Sequence, residues 1–285
     1  MEPFLQIVGG PAGEGLVPGT EERFVTFLLV FVRCASLVAS APVIGSRYIP
    51  RTVKVMIALG TAVVLEASLP AQPYQFSGLL DFVLLVAGEA LIGLMLGFVG
   101  QILFQSIAFA GEIMGQQTGF AIATVHDPTT EQDSALVAQM MLLIATLIFL
   151  VINGHQLLLL SVADTFRLVP PGGAFSLAAL ENASLGTIAP MAGAFRLPGF
   201  FESGIKIAGP VIIALITTTL AEAIIAKTVP QVNIMVLGFG IRILLGLFIM
   251  ILSFPMVCYL IRAHLMLYPD WARTMISWLR VAPAP

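Results

Sequence analysis

Four polar side chains recur along one stretch of a chain that is otherwise strongly apolar: Gln101, Gln105, Glu112 and Gln116. At about 100° per residue, these positions fall within about 60° of one another on a helix. Such a stripe is costly in contact with lipid, so it is expected to face protein or water. Amide and carboxylate groups in this arrangement can line a polar conduit or form a hydrogen-bonded seam between helices. The spacing favours neither alternative.

Glycine recurs in the same part of the chain with the spacing that lets membrane helices approach closely. The positions are Gly93 and Gly97, followed by Gly111, Gly115 and Gly119. Each glycine also weakens a helix by about 1 kcal/mol relative to alanine. We therefore expect residues 111–128, which end in a short apolar patch and His-Asp-Pro, to be a broken or flexible element rather than a rod.

Two carboxylates, Glu89 and Glu222, lie well inside apolar runs. An ion-coupled carrier of small solutes would need such groups near the middle of the bilayer, and Glu112 is a third candidate for that role. Most other charged residues lie near predicted helix ends, where snorkelling or pairing explains them, but Glu89 and Glu222 are exceptions and each is only an isolated signal. The transporter therefore stays an alternative from a different functional class.

The residue types that enzymes arrange for catalysis are not arranged here. The sequence has no H-E-x-x-H, no G-x-S-x-G and no glycine-rich phosphate loop. His126 and His155 stand apart, and Cys34 and Cys258 are far from any metal-site spacing. We predict no catalytic residue, no metal site and no cofactor.

The amino-acid composition indicates the class of protein in which these polar and charged side chains lie. Of 285 residues, 58% are hydrophobic and only 10% are charged, whereas soluble domains average about 25% charged residues. The apolar runs are long and continuous rather than alternating over about 10 residues, which argues against a membrane β-barrel. The sequence predicts an all-α, polytopic membrane protein with long kinked helices and helical hairpins. The net charge of −3 argues against binding to nucleic acid.

The apolar runs predict the helices. We expect helices over residues 24–44, 52–69, 79–110, 135–152, 155–168, 204–226 and 234–261, with a last helix over residues 263–280. Asn153-Gly154 is expected to join its neighbours as a helical hairpin. The last helix either lies at the membrane interface or packs on the body.

Two features of these runs concern the membrane. Residues 79–110 would form a helix about 48 Å long, although the hydrocarbon core is only about 30 Å thick. A helix that overruns the bilayer suggests that other proteins cover part of its apolar surface. The connection over residues 46–54 carries Arg47, Arg51 and Lys54, so the positive-inside rule places it in the cytoplasm.

Short motifs in a fixed order, from about residue 24 to about residue 260, resemble the FliR family of type III export gate subunits. They are Arg33, Ala41-Pro42-Val43-Ile44, Arg47 to Lys54, Gly93 and Gly97, Gly111-Glu112 with Gly115 and Gly119, Asp127-Pro128, Asn153-Gly154-His155, Asp164 with Phe166 and Pro170, Pro230-Gln231-Val232-Asn233, and Gly238-Phe239. The motifs at residues 153–155 and 238–239 favour the flagellar branch over the equivalent subunit of virulence secretion systems. Gly240 departs from the proline that the family more often has.

The resemblance implies an assembly. FliR-like proteins stand as one copy beside several copies of FliP and FliQ, in a closed helical ring around an export pore. Their fold is a FliP-like part followed by a FliQ-like hairpin. FlhB-like proteins wrap the cytoplasmic side, and FlhA supplies the coupled energy. The implied protein is a multi-pass component of the bacterial inner membrane and the flagellar basal body, in contact with membrane lipid, that passes unfolded substrates and is not an enzyme.

The resemblance also assigns the glycine-rich segment. In the family, the stretch after the long helix is a plug loop that projects into the pore, which matches residues 112–125. The sealing side chains here are Phe120, Ile122 and Val125, with Gly115 and Gly119 as gate positions, although family members often have phenylalanine where Ile122 and Val125 stand. Residues 24–262 would form one domain, between a flexible tail over residues 1–23 and a C-terminal helix and tail over residues 263–285.

Overall fold

The computed structural model describes residues 20–69, 79–119, 136–173, 200–228 and 234–279, and every regular element within these ranges is an α-helix. The all-α class is confirmed. The eight helices of the described residues are α1 (Thr20–Ser40), α2 (Arg51–Glu66), α3 (Leu79–Thr118), α4 (Leu136–Val151), α5 (Gly154–Leu168), α6 (Phe200–Thr228), α7 (Ile234–Leu265) and α8 (Tyr268–Leu279).

Within the described part of the chain, four helical stretches are long and apolar enough to cross a membrane: Arg23–Ser40, α3, α6 and Gly240–Thr274. A fifth is added if the bent pair α4 and α5 counts as one span. The helix expected over residues 52–69 is α2, which has 16 residues and does not reach the length of about 20 that a span requires.

Helix α3 is the centre of the fold. It has 40 residues and is therefore about 60 Å long. It packs on α1, α4 and α6 over long stretches and on α5, α7 and α8 over shorter ones. Gly93 lies against Ser36 of α1 and Gly97 lies against Ser40, so α1 and α3 run in the same direction. A Cβ at either glycine would overlap the facing serine, which confirms that this glycine pair serves close helix contact.

The α4–α5 pair is a bent helix, so the prediction of a hairpin at Asn153-Gly154 was wrong. The two arms deviate from one axis by 67°, which is far short of a reversal. Asn153 takes the left-handed conformation with φ 55° and ψ 38°, and α5 begins at the next residue. The link between the arms, Ile152-Asn153, contains a single left-handed residue, and with this backbone it turns the chain by 67° instead of reversing it.

The hairpin of the described chain is formed by α6 and α7. Leu215 of α6 lies near Gly246 of α7, and Glu222 is paired with Arg242, so residue numbers rise along α6 while the facing residue numbers fall along α7. The two helices are therefore antiparallel. Pro210 lies inside α6, as the sequence indicated.

Helix α8 packs on the body of the protein. This was one of the two alternatives that the sequence left open for the last helix. Tyr268 and Ala272 are buried, and the Tyr268 hydroxyl donates a hydrogen bond to the Leu96 carbonyl at 3.2 Å. Arg273 donates to Asp164 of α5 at 2.8 Å. The helix begins at Tyr268 rather than at residue 263 because α7 continues to Leu265.

Candidate functional site

One side of α3 stays open to the outside of the chain along most of its length. Exposed or half-exposed side chains recur every three or four residues, as the helical period requires. We call this surface the open face of α3; its members are Val83, Ala87, Leu91, Leu94, Phe98, Gln101, Gln105, Ala108, Glu112 and Gln116.

The open face changes in chemistry halfway along the helix. Residues 83–98 contribute only apolar side chains, whereas three amides and a carboxylate dominate residues 101–116. Each half is about 22 Å long. The apolar half suits lipid, but the polar half would be costly there and requires water or protein. The boundary lies between Phe98 and Gln101.

The four polar residues predicted from the sequence share this face but differ in their surroundings. Gln101 is half-buried, and its Nε2 donates to the Ser40 carbonyl at 3.4 Å, so it belongs to the seam with α1. Gln105 and Gln116 are exposed, and Glu112 is half-buried. The seam alternative therefore holds for Gln101, while the other three remain available to a conduit or a neighbouring protein.

The end of α3 is a regular helix, so the expectation of a broken element was wrong for residues 111–118. Gly111 admits α4, because a Cβ there would lie 2.6 Å from the Ala138 Cα. Thr118 is fully buried, donates its hydroxyl to the Met114 carbonyl at 2.9 Å and places its methyl against Gly246 of α7. The end of α3 thus packs against both α4 and α7, and this packing offsets the intrinsic helix cost of the glycines, about 1 kcal/mol each.

Gly119 ends the helix. Its φ of 86° lies in the left-handed region that favours glycine, and its N–H donates to the Gln116 carbonyl at 3.2 Å. Gly115, the other predicted gate glycine, is buried within the helix. The predicted sealing side chains Phe120, Ile122 and Val125 lie outside the described residues, so their role stays a prediction.

A fully buried ion pair holds three helices together. Arg33 Nε donates to Glu89 Oε2 at 2.5 Å, and both side chains are 0% exposed. Arg33 Nη1 also donates to Thr165 Oγ1 of α5 at 3.0 Å and to the Val169 carbonyl at 3.1 Å. The Gly172 N–H donates to Glu89 Oε1 at 2.8 Å. The network joins α1, α3, α5 and the segment that follows α5.

The transporter alternative needed free carboxylates, and two of its three candidates are paired. Glu89 is bound by Arg33, and Glu222 Oε2 accepts a hydrogen bond from Arg242 at 2.5 Å. Sequence reasoning weighed these glutamates singly and missed their partners. The signal was present as Arg33 and Arg242 in apolar runs, but Arg33 lies 56 residues from Glu89. Among the described residues, no group of three or more His, Cys, Asp or Glu is placed to hold a metal ion.

Long apolar helices around one central helix, with a lipid-compatible and a polar half on its open face, define a polytopic helical membrane protein. The family model of bacterial export proteins, family 1, matches residues 24–267, and the chain belongs to this family.

Curated relatives agree with this membership. The flagellar biosynthetic protein FliR of Escherichia coli K12 is 31% identical over 242 residues, which cover 84% of this chain and 89% of the relative. FliR of Bacillus subtilis 168 is 29% identical over 263 residues, covering 92% and 98%. FliR of Aquifex aeolicus VF5 is 27% identical over 248 residues, covering 86% and 91%. The resemblance to the FliR family that the motifs indicated is confirmed.

Proposed function

We propose that this protein is the FliR-type subunit of the flagellar type III protein export gate. With FliP and FliQ it forms the pore through which unfolded flagellar substrates cross the bacterial inner membrane. It acts as a multi-pass component of the basal body, next to FlhB and FlhA. Its membership of a family of export proteins and its similarity to three FliR proteins support this role.

The observation that carries the proposal is the change of chemistry on the open face of α3. The helix is about twice as long as the hydrocarbon core is thick, and only its first half is suited to lipid. Its second half, with Gln105, Glu112 and Gln116, then borders a polar path or a neighbouring subunit. A central helix that leaves the lipid halfway along its length is consistent with a subunit of a pore assembly.

The exposed surface of α4 also fits a neighbour. Apart from Val151, its last residue, the exposed large apolar side chains recur with spacings of four and three residues: Leu136, Met140, Leu143, Leu147 and Leu150. This is the heptad pattern with which one helix packs along another. We assign this stripe to contact with a helix of FliP or FliQ.

The plug follows directly from the end of α3. Phe120, Ile122 and Val125 seal the closed pore with apolar side chains that exclude water and ions. Among the described residues 111–119 of the glycine-rich segment, Gly115 is buried in a helix and Gly119 alone has the left-handed backbone. Gly119 is therefore the pivot about which the plug moves when the pore opens.

The plug is tested by the triple substitution F120S/I122S/V125S in a gate assembled with FliP and FliQ. We expect the reconstituted gate to conduct ions in a planar bilayer when no substrate is present. The matched control is L5S/I7S/V8S, which removes the same number of large apolar side chains from the N-terminal tail. Equal conductance of the two variants would disprove the plug assignment.

Co-expression tests the assembly itself. The full chain should purify in one particle with FliP and FliQ. Deletion of residues 1–19 should leave the yield of this particle unchanged, because the proposed domain begins near residue 24. A chain that is monodisperse alone and transports a small solute in vesicles would instead favour the ion-coupled transporter.

A further inference from the structure

The turn between α1 and α2 carries an uncompensated cluster of positive charge. Arg47, Tyr48 and Arg51 are exposed, Tyr48 to 96%, and Lys54 follows one turn later. We call these four residues the basic corner. The sequence has no Asp or Glu between residues 34 and 65, and the ion pairs of the described chain include none of the three cations.

The basic corner is held in place by its own backbone. The Gly45 N–H donates to the Ala41 carbonyl at 2.9 Å, and the Ile49 N–H donates to the Ser46 carbonyl at 3.3 Å. Lys54 Nζ donates to the Gly45 carbonyl at 2.8 Å. The backbone of the turn is therefore closed from both sides, and its cationic side chains extend from an ordered turn.

The corner is also fixed to the body of the protein. Pro42 lies so close to Gly100 of α3 that a Cβ there would be 2.7 Å from the proline Cδ. Ala41 and Pro42 are buried, while the residues from Arg47 to Arg51 are mostly exposed. One side of the turn thus rests on α3, and the other side points its cations away from the chain.

An exposed apolar surface begins where the basic corner ends. Helix α2 exposes large apolar side chains over its whole length: Val53, Val55, Met56, Leu59, Val63 and Val64. A tyrosine at the junction of cations and an apolar surface is the arrangement found at the headgroup level of bilayers. Cations there are attracted by anionic lipids.

We propose that the basic corner binds the headgroups of anionic phospholipids, and so holds the start of α2 at the surface of one leaflet. The positive-inside rule makes this the cytoplasmic leaflet. Lipid fits better than an acidic protein surface because a bilayer meets the cations with its headgroups and the adjoining apolar side of α2 with its acyl chains. This inference is independent of the pore and would hold for the chain by itself.

The test compares two substitutions that change net charge equally. R47Q/R51Q removes two cations that face no carboxylate. R167Q/K206Q removes two exposed cations that do face one, since Arg167 lies 3.9 Å from Asp164 and Lys206 lies 2.6 Å from Glu202. Each full-length variant is purified from mixed micelles of phosphatidylglycerol and phosphatidylcholine in equal amounts, and the retained lipid is counted by native mass spectrometry.

We expect the unmodified chain and R167Q/K206Q to retain phosphatidylglycerol preferentially. R47Q/R51Q should lose this preference by roughly fivefold for each arginine, and high salt should weaken the preference of the unmodified chain. R47K/R51K, which keeps both charges, should behave like the unmodified chain and excludes a general folding defect.

Three results would overturn the inference. Equal losses in R47Q/R51Q and R167Q/K206Q would show a general effect of net charge. An unchanged preference in R47Q/R51Q would place the lipid elsewhere. No preference in the unmodified chain would also overturn it, and loss of FliP and FliQ from R47Q/R51Q in the co-expression experiment would then show that the corner binds protein instead.

Discussion

Helix α3 and the α6–α7 hairpin are similarly apolar, yet the protein buries them very differently. In the most apolar 18-residue window of each stretch, 44% of the residues of α3 are buried, compared with 11% of those in the α7 stretch. Apolar character therefore does not decide what the chain packs against itself. It decides only which surface must be kept from water. In the hairpin, lipid or other proteins must cover that surface.

The difference lies in the small and charged residues between the apolar ones. The region around α3, with α1, α4 and α5, has glycines at helix contacts and an ion pair that is 0% exposed on both sides. The ion pair that joins the two arms of the hairpin, Glu222 with Arg242, has side chains that are 13% and 35% exposed. Close backbone approach and an enclosed ion pair let the α3 region bury much of its apolar surface within one chain. The hairpin leaves most of its apolar surface exposed.

The largest expected effect comes from breaking the enclosed ion pair. Glu89→Leu leaves the buried guanidinium of Arg33 without a counter-charge and the Gly172 N–H without its acceptor. We expect a loss of about 3–5 kcal/mol in the free energy of unfolding. The measurement is loss of helicity by circular dichroism as SDS is titrated into detergent micelles.

The double variant R33L/E89L serves as the control for Glu89→Leu. Removing both charges leaves no unpaired ion, so most of the lost stability should return. If the double variant is no more stable than Glu89→Leu, the cost lies in packing rather than in the stranded charge, and the account of this ion pair is incorrect.

The next effect tests close helix approach. In Gly93→Ala the new Cβ overlaps the Arg33 carbonyl oxygen and the Ser36 hydroxyl, so the backbones of α1 and α3 must separate. We expect a loss of about 1–3 kcal/mol, as for other overpacked sites. The matched control is Gly60→Ala in α2, where a Cβ meets nothing within 4 Å. Equal stability of the two variants would contradict the close contact.

The sequence predicted most of the helices in the α3 region but not the contacts between them. Apolar runs give helix bounds because a helix is a local structure, and Gly93 and Gly97 were identified by their spacing. The pairing of Arg33 with Glu89 could not be derived, since it depends on how helices 56 residues apart are placed. The bend at Asn153 was mistaken for a hairpin because Asn-Gly permits a change of direction without stating its angle.

The candidate site shows the same limit. The shared face of Gln105, Glu112 and Gln116 follows from the helical period alone, so the sequence was sufficient. The helical state of residues 111–118 was missed, because intrinsic propensity is weak against the packing of Gly111 on α4 and Thr118 on α7.

A smaller effect is expected from the ion pair of the hairpin. Glu222→Leu removes the partner of Arg242, but that arginine is 35% exposed and lies near the start of the apolar stretch Gly240–Thr274, from which its long side chain can reach water. We expect a loss of about 1 kcal/mol or less in the same SDS titration. A loss as large as that of Glu89→Leu would mean that the hairpin encloses its charges as tightly as the α3 region does, and the contrast between the two regions would fail.

The smallest effect marks where the packed region ends on α7. Gly240 has nothing within 4 Å of an added Cβ, whereas at Gly246 the Cβ would overlap the methyl of buried Thr118. Gly240→Ala should leave stability unchanged or raise it by up to about 1 kcal/mol, because alanine favours the helix. Gly246→Ala should lower it. The two positions are on one helix and less than two turns apart. If the two substitutions change the free energy of unfolding in opposite directions, the boundary between packed and open surface lies between residues 240 and 246. Changes in the same direction would contradict this boundary.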